Sequence, residues 1–237
     1  MKTILLFQRF DCANPVRKSE LEQCILHNLK IGFDKVTIWN DSVDPIFVGE
    51  NVHNIRANRR MTYRDYIDVL DAEENYGSLI VLTNTDIMLD SNLLTISSVI
   101  QKNFFLCFAR YETRGQAVEL PKTPWCTHDT WAMVSQPVHN SIKFQSLIPL
   151  GMPGCELRFA EVIFNMGYAV FNPCLDIKNV HVHCEISPHD YKNRIYGAYL
   201  FTPPCKLSDV KLSSNNTSHM ARPVYYTNFI IQPLKIG

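Results

Sequence analysis

Residues 78–86 read SLIVLTNTD. The first six form the most apolar run of the chain, and Asn-Thr-Asp closes it abruptly. A continuous apolar run of this length, with no polar alternation, predicts a strand covered on both faces at the centre of a sheet. Upstream, Gly77 ends an expected helix over 63–75. Tyr63, Tyr66, Ile67 and Leu70 fall at i, i+3, i+4 and i+7 there, Thr62 can cap it, and Asp65 stands three residues on. Further upstream KTILLF (2–7) and KVTIW (35–39) read as strands. Between them a helix is expected from about Glu20 to Ile31, with Ser19 and Glu22 at capping-box spacing and Gly32 as its stop. Downstream, a helix over 92–101 and a strand over 104–110 (FFLCFAR) continue the alternation. Strands alternating with helices predict an α/β fold whose central sheet is mixed but mostly parallel, with helices on both faces.

The second half is less regular. Residues 111–127, with Gly115, Pro121 and Pro124, read as a long loop of the kind that often covers a site. A helix is expected from Glu156 to Met166, and strands over 168–172 and 177–184. Past Thr202, Pro, Ser and Asn dominate, and 208–219 reads as mobile. The expected organisation is one domain over 1–200 with a C-terminal extension, 201–237, packing on or extending from it.

The chain has 237 residues, with 23 Lys+Arg, 23 Asp+Glu and 46% hydrophobic residues. A folded globular protein is expected, and disordered, collagen-like and coiled-coil classes are excluded. The zero net charge offers no general grip on nucleic acid. No run approaches the ~20 apolar residues of a membrane span. The apolar start at 3–7 is short for a signal peptide, so the expected compartment is the cytoplasm. The eight cysteines contain no C-x-x-C pair and read mostly as buried reduced thiols.

In an open parallel sheet, ligands bind beyond the carboxyl ends of the strands. Asn84-Thr85-Asp86 lies there, with Asp86 either a ligand for a hard cation or a turn and cap residue. His181-Val182-His183 puts two imidazoles on one strand face, for a metal or for core hydrogen bonds. Cys174 and Cys184 nearby raise a zinc alternative, although the spacing matches no common zinc module. Gly151-Met-Pro-Gly154-Cys-Glu156-Leu-Arg158 delivers an acidic residue to a helix start, as a cap or as a general base. Thr127-His128-Asp129-Thr130-Trp131 could hold a sugar by stacking and carboxylate hydrogen bonds, or be a surface turn beside a core Trp. Arg9, Arg17, Arg59, Arg60 and Arg64 are candidate phosphate contacts.

Together these pieces resemble the small GT-A type glycosyltransferases found as bacterial and viral domains. The matching stretches are NTDIMLD (84–90), CFARYE (107–112), THDTWAM (127–133), PLGMPGCELRFAEVIFNMGYAVFNP (149–173) and IKNVHVH (177–183), in order, within roughly residues 2–196. The resemblance implies a GT-A fold and transfer of a sugar from a UDP- or GDP-sugar to a glycan or other hydroxyl acceptor. It implies Mn²⁺ or Mg²⁺ held by Asp86 and His183, with Asn84 standing where relatives carry a first acidic residue. Gln8, Arg9, Phe10, Arg60, Asn84, Thr85 and Asp86 would line the nucleotide-sugar site. His128, Trp131, Gly154 and Arg158 would line the acceptor and sugar region. Glu156 or Asp129 would be the base of an inverting reaction. The alternatives are a non-catalytic nucleotide- or sugar-binding module and a nucleotidyltransferase. The latter usually carries a Gly-rich loop after the first strand, and QRFDCANPVRKS (8–19) has no glycine.

Overall fold

The computed structural model describes residues 1–114, 117–182, 191–215 and 224–225. The chain opens with β1 (Thr3–Phe10), α1 (Pro15–Asn28), β2 (Lys35–Asp41), β3 (Val52–Ala57), α2 (Tyr63–Asp71) and β4 (Leu79–Thr83). β5 (Ile87–Met88), a 3₁₀ helix (Ser91–Ser98), β6 (Phe104–Ala109), β7 (Tyr111–Arg114) and β8 (Ala117–Glu119) follow. Then come β9 (His128–Val134), α3 (Asn140–Gln145), α4 (Cys155–Asn165), β10 (Ala169–Phe171), β11 (Val180–His181), β12 (Leu200–Phe201), α5 (Leu207–Asn215) and β13 (Val224–Tyr225).

Seven strands form the central sheet in the order β10-β6-β9-β4-β1-β2-β3, so the SLIVLT strand is the middle one. Every pairing among them is parallel except those of β9, which runs antiparallel between β4 and β6. This is the α/β class that the strand–helix alternation predicts. Each residue of β4 is buried. Ile80 and Leu82 pack on one face with residues of α2, α3 and α4. Leu79 and Val81 pack on the other with α1, the 3₁₀ helix and Val210 of α5. Two-sided cover is why this strand shows no polar alternation.

Several boundaries differ from the sequence reading. α1 starts five residues early. Asn14 Oδ1 accepts from the backbone N–H groups of Val16 (2.9 Å) and Arg17 (3.2 Å), and Pro15 takes the first helical position, where its missing N–H costs nothing. The Ser19–Glu22 spacing is therefore interior to the helix. α2 keeps its expected start, with the Asp65 carboxylate accepting from Thr62 N at 2.8 Å. Residues 91–98 are 3₁₀ rather than α-helical. β3 was not expected; as the edge strand it is only half buried and carries no apolar run. The expected loop over 111–127 contains the β7–β8 hairpin. Of residues 208–219, read as mobile, 208–215 belong to a helix, Leu207–Asn215, and 216–219 lie outside the described residues.

The seven described cysteines are free, and Cys24, Cys107, Cys155 and Cys174 are buried. No helix among the described residues is long and apolar enough to cross a membrane.

On the α2–α4 face, Phe159 stacks on Tyr63 with centroids 4.1 Å apart and meets Phe105 edge-on at 5.4 Å. Phe159 is fully buried. Phe159→Ala removes this hub, and denaturant unfolding is expected to show a loss of about 3–5 kcal/mol.

Candidate active site

A second, four-stranded sheet, β5-β11-β7-β8, sits at the carboxyl end of the central strands. β5 begins one residue after Asp86, and the Asp86 carbonyl accepts from Val182 N at 2.9 Å. In β11, His181 lies opposite Ile87 on one side and Glu112 on the other. The sequence therefore brings three distant segments, 84–88, 110–112 and 180–182, to one edge.

Their side chains form a chain of alternating charge. Asp86 Oδ2 is bonded to a guanidinium nitrogen of Arg17 and lies 3.2 Å from His181 Nε2. His181 Nδ1 lies 3.2 Å from Glu112. Arg110 bonds Glu112 at 2.6 Å and Asp129 at 2.7 Å. Asp129 accepts from the Asn84 side-chain amide at 2.5 Å. Arg17 also donates to Glu20 (3.1 Å) and to the Val182 carbonyl (2.7 Å). Burial and the two flanking carboxylates act in opposite directions on His181, and the carboxylates win, raising it to about 9. The hydrogen bonds and charges of His181 and Arg17 outweigh burial at Asp86 and hold it down at about 2. Glu112 is held at about 2, chiefly by its bond to His181.

A register shift between Phe108 and Ala109 sets Ala109 opposite His128, so Asp129 is the extra residue of a bulge. Bulges re-aim side chains, and this one turns the Asp129 carboxylate toward Asn84 and Arg110.

Glu156 occupies the first turn of α4, after Gly154 in the left-handed conformation (φ 80°). It has no ion-pair partner among the described residues. Loss of solvent, reinforced by the negative Asp129, lifts its carboxyl from 4.5 to about 7. A Cβ at Gly154 would stand 3.0 Å from the Tyr199 hydroxyl and 3.2 Å from the Ile195 carbonyl. Only glycine fits that turn.

Other expected site residues have different surroundings. Trp131 is fully buried and packs edge-on against Tyr63 at 5.1 Å, so it has no face free for a sugar. His128 is 1% exposed, and burial lowers it to about 4. Neither side chain is exposed for contact with a sugar in this structure. Gln8 is buried between Asp41 (2.9 Å) and Met61 N (3.0 Å) and acts as scaffold. Thr85 donates its hydroxyl to the Gln8 carbonyl. Arg158 pairs with Glu161. Arg9 donates to the Asp44 carbonyl at 2.6 Å, and Arg60 lies 3.4 Å from the Leu150 carbonyl. Phe10 is exposed. His183 and Cys184 lie outside the described residues.

The described donors around Asp86 do not by themselves make a site for Mn²⁺ or Mg²⁺, and His183, the other expected ligand, lies outside the described residues. Asp86 Oδ2 already serves Arg17 and His181. Among the described residues, no three His, Cys, Asp or Glu side chains are grouped to hold a metal. A dication about 4 Å from a guanidinium would be repelled by about 8 kcal/mol at an effective dielectric of about 20.

No family model matches the chain, and no curated protein matches it. Solved structures with partial similarity exist. One is described as a glucose-1-phosphate thymidylyltransferase from Bacillus anthracis in complex with sucrose, with 9% identity, TM-score 0.43, and coverage of 72% of this chain and 86% of that one. Another is HddC from Yersinia pseudotuberculosis, with 9% identity, TM-score 0.36, and coverage of 57% and 77%. A third is 4-diphosphocytidyl-2C-methyl-D-erythritol synthase, with 10% identity, TM-score 0.42, and coverage of 81% and 94%. At such scores the similarity assigns no activity to this chain.

Glu156 yields a stability prediction. Its raised value means that the folded state holds the proton more tightly than the unfolded state. The benefit is full below pH 4.5 and is lost as pH rises through about 7. Glu156→Gln is therefore expected to match the wild type near pH 4 and to be more stable at pH 8, by about 1–3 kcal/mol. Thermal unfolding at the two pH values measures this.

Proposed function

We propose that the chain is a transferase moving a sugar from a nucleotide-diphosphate sugar to a hydroxyl acceptor, with inversion at the sugar carbon. The observation that carries this reading is Glu156. It is a carboxylate at a helix start, within electrostatic reach of Asp129 and Arg110, lifted to about 7 chiefly by loss of solvent. A base titrating near neutrality suits removal of a proton from a neutral hydroxyl. Asp129 is held by Arg110 and Asn84, which suits orientation better than proton transfer.

In the proposed step the acceptor oxygen attacks the anomeric carbon and its proton passes to a Glu156 oxygen. The bond from that carbon to the diphosphate oxygen breaks, and its electron pair leaves with the nucleoside diphosphate. The acceptor would lie against the Glu156 carboxylate at the start of α4, since the space beside Gly154 is filled by Tyr199 and the Ile195 carbonyl. The nucleotide would lie along the ends of β1 and β4, near Arg9, Phe10, Asn84 and Arg60.

Nucleotidyl transfer uses a phosphate nucleophile that is already anionic. A general base near pKa 7 has little to do in that reaction, and the segment after β1 holds no glycine for a phosphate loop. The two chemistries separate by product, since one releases a nucleoside diphosphate and the other pyrophosphate. Nucleotide-sugar binding without release of either would instead mark a binding module.

A panel of UDP- and GDP-sugars with hydroxyl acceptors is expected to show nucleoside diphosphate release. Its rate should rise with pH through a midpoint near 7. Glu156→Gln is expected to lower kcat by about 10²–10⁴-fold with little change in donor KM. An unimpaired Glu156→Gln beside an inactive Asp129→Asn would move the base to Asp129.

A further inference from the structure

The transferase reading leaves a question at Asp86: what neutralises the donor's diphosphate. Arg17 stands in the first turn of α1, directly beyond the carboxyl end of β1. Its guanidinium is fixed from three sides by Asp86, Glu20 and the Val182 carbonyl. These contacts tie α1, the end of β4 and the end of β11 to one planar group. A guanidinium has five N–H donors, and three acceptors engage this one. Its side chain keeps 21% of its surface exposed, as Asp86 keeps 22%, so the pair borders solvent. A guanidinium carries its charge at every working pH and matches phosphate oxygens with a fork of donors. It also shares Asp86 Oδ2 with His181.

We infer that Arg17 supplies, at the diphosphate subsite, the positive charge that the sequence leads one to expect from a divalent cation. Asp86 then orients Arg17 and is not a metal ligand. The nucleoside diphosphate leaves against a fixed guanidinium, with no ion to be captured or released in the cycle. This rests on the transferase reading and adds to it the means by which the leaving group is held.

Equilibrium binding of UDP and GDP, followed by calorimetry in EDTA and in excess Mn²⁺, tests the inference without requiring turnover. For the wild type, the same affinity is expected in both solutions, and Mn²⁺ alone should give no binding heat. Arg17→Met should weaken binding in EDTA by about 10- to 100-fold, and Arg17→Lys should recover part of the loss. Circular dichroism checks that both variants fold; a variant that fails to fold is set aside, and the wild-type comparison decides alone. Binding that disappears in EDTA and returns with Mn²⁺ would overturn the inference while leaving the transferase reading intact. So would undiminished binding by folded Arg17→Met. If neither nucleotide binds in either solution, the transferase reading fails and the inference fails with it.

Discussion

The carboxyl edge of the central sheet is held by pairing opposite charges in sequence: Arg17, Asp86, His181, Glu112, Arg110 and Asp129. The members come from five segments, with Arg110 and Glu112 sharing one, and several are half-buried. Removing one partner leaves an uncompensated charge away from bulk water, which is costly. The ladder therefore does structural work. It fastens the small second sheet to the central one and fixes the approach of α1. Glu156 stands outside this ladder, with no ion pair among the described residues.

That exception gives the site its chemistry. A carboxylate with a tight cationic partner is a weak base. A carboxylate desolvated without a partner holds its proton to higher pH and can exchange it near neutrality. At the helix start after the Gly154 turn Glu156 is half-buried, and the negative Asp129 adds to the shift that loss of solvent produces. The folded state bears this cost above pH 7, as functional groups commonly oppose stability.

Much of this was legible in the sequence because it is local. The buried run 79–83, the α2 periodicity and the Gly-flanked α4 each announce themselves within a dozen residues. Asp86, Glu156 and the His181-Val182-His183 pair stand out by their place at a strand or helix end, although His183 rather than His181 is the expected ligand. What could not be read depends on contacts between distant segments. Arg110 and Glu112 are spaced two apart on a strand path, a hint of a shared face, but only the β7–β11 register reveals His181 as the partner of Glu112. The sequence left Trp131 open between a sugar contact and a core residue, and it is a core residue; His128 and Asp129 lie in the same buried strand, whose bulge aims the aspartate at Asn84 and Arg110. β3 carries too few apolar residues to be read as a strand, since an edge strand buries little.

Direct observation of the Glu156 carboxyl is the sharpest test of this arrangement. A ¹³C NMR titration of that side chain, assigned by comparison with Glu156→Gln, reads its ionisation without any substrate. A midpoint near pH 7 is expected from its surroundings. A midpoint near 4.5, the ordinary value for a solvated glutamate, would show that the edge is open to water and that Glu156 has no special standing there.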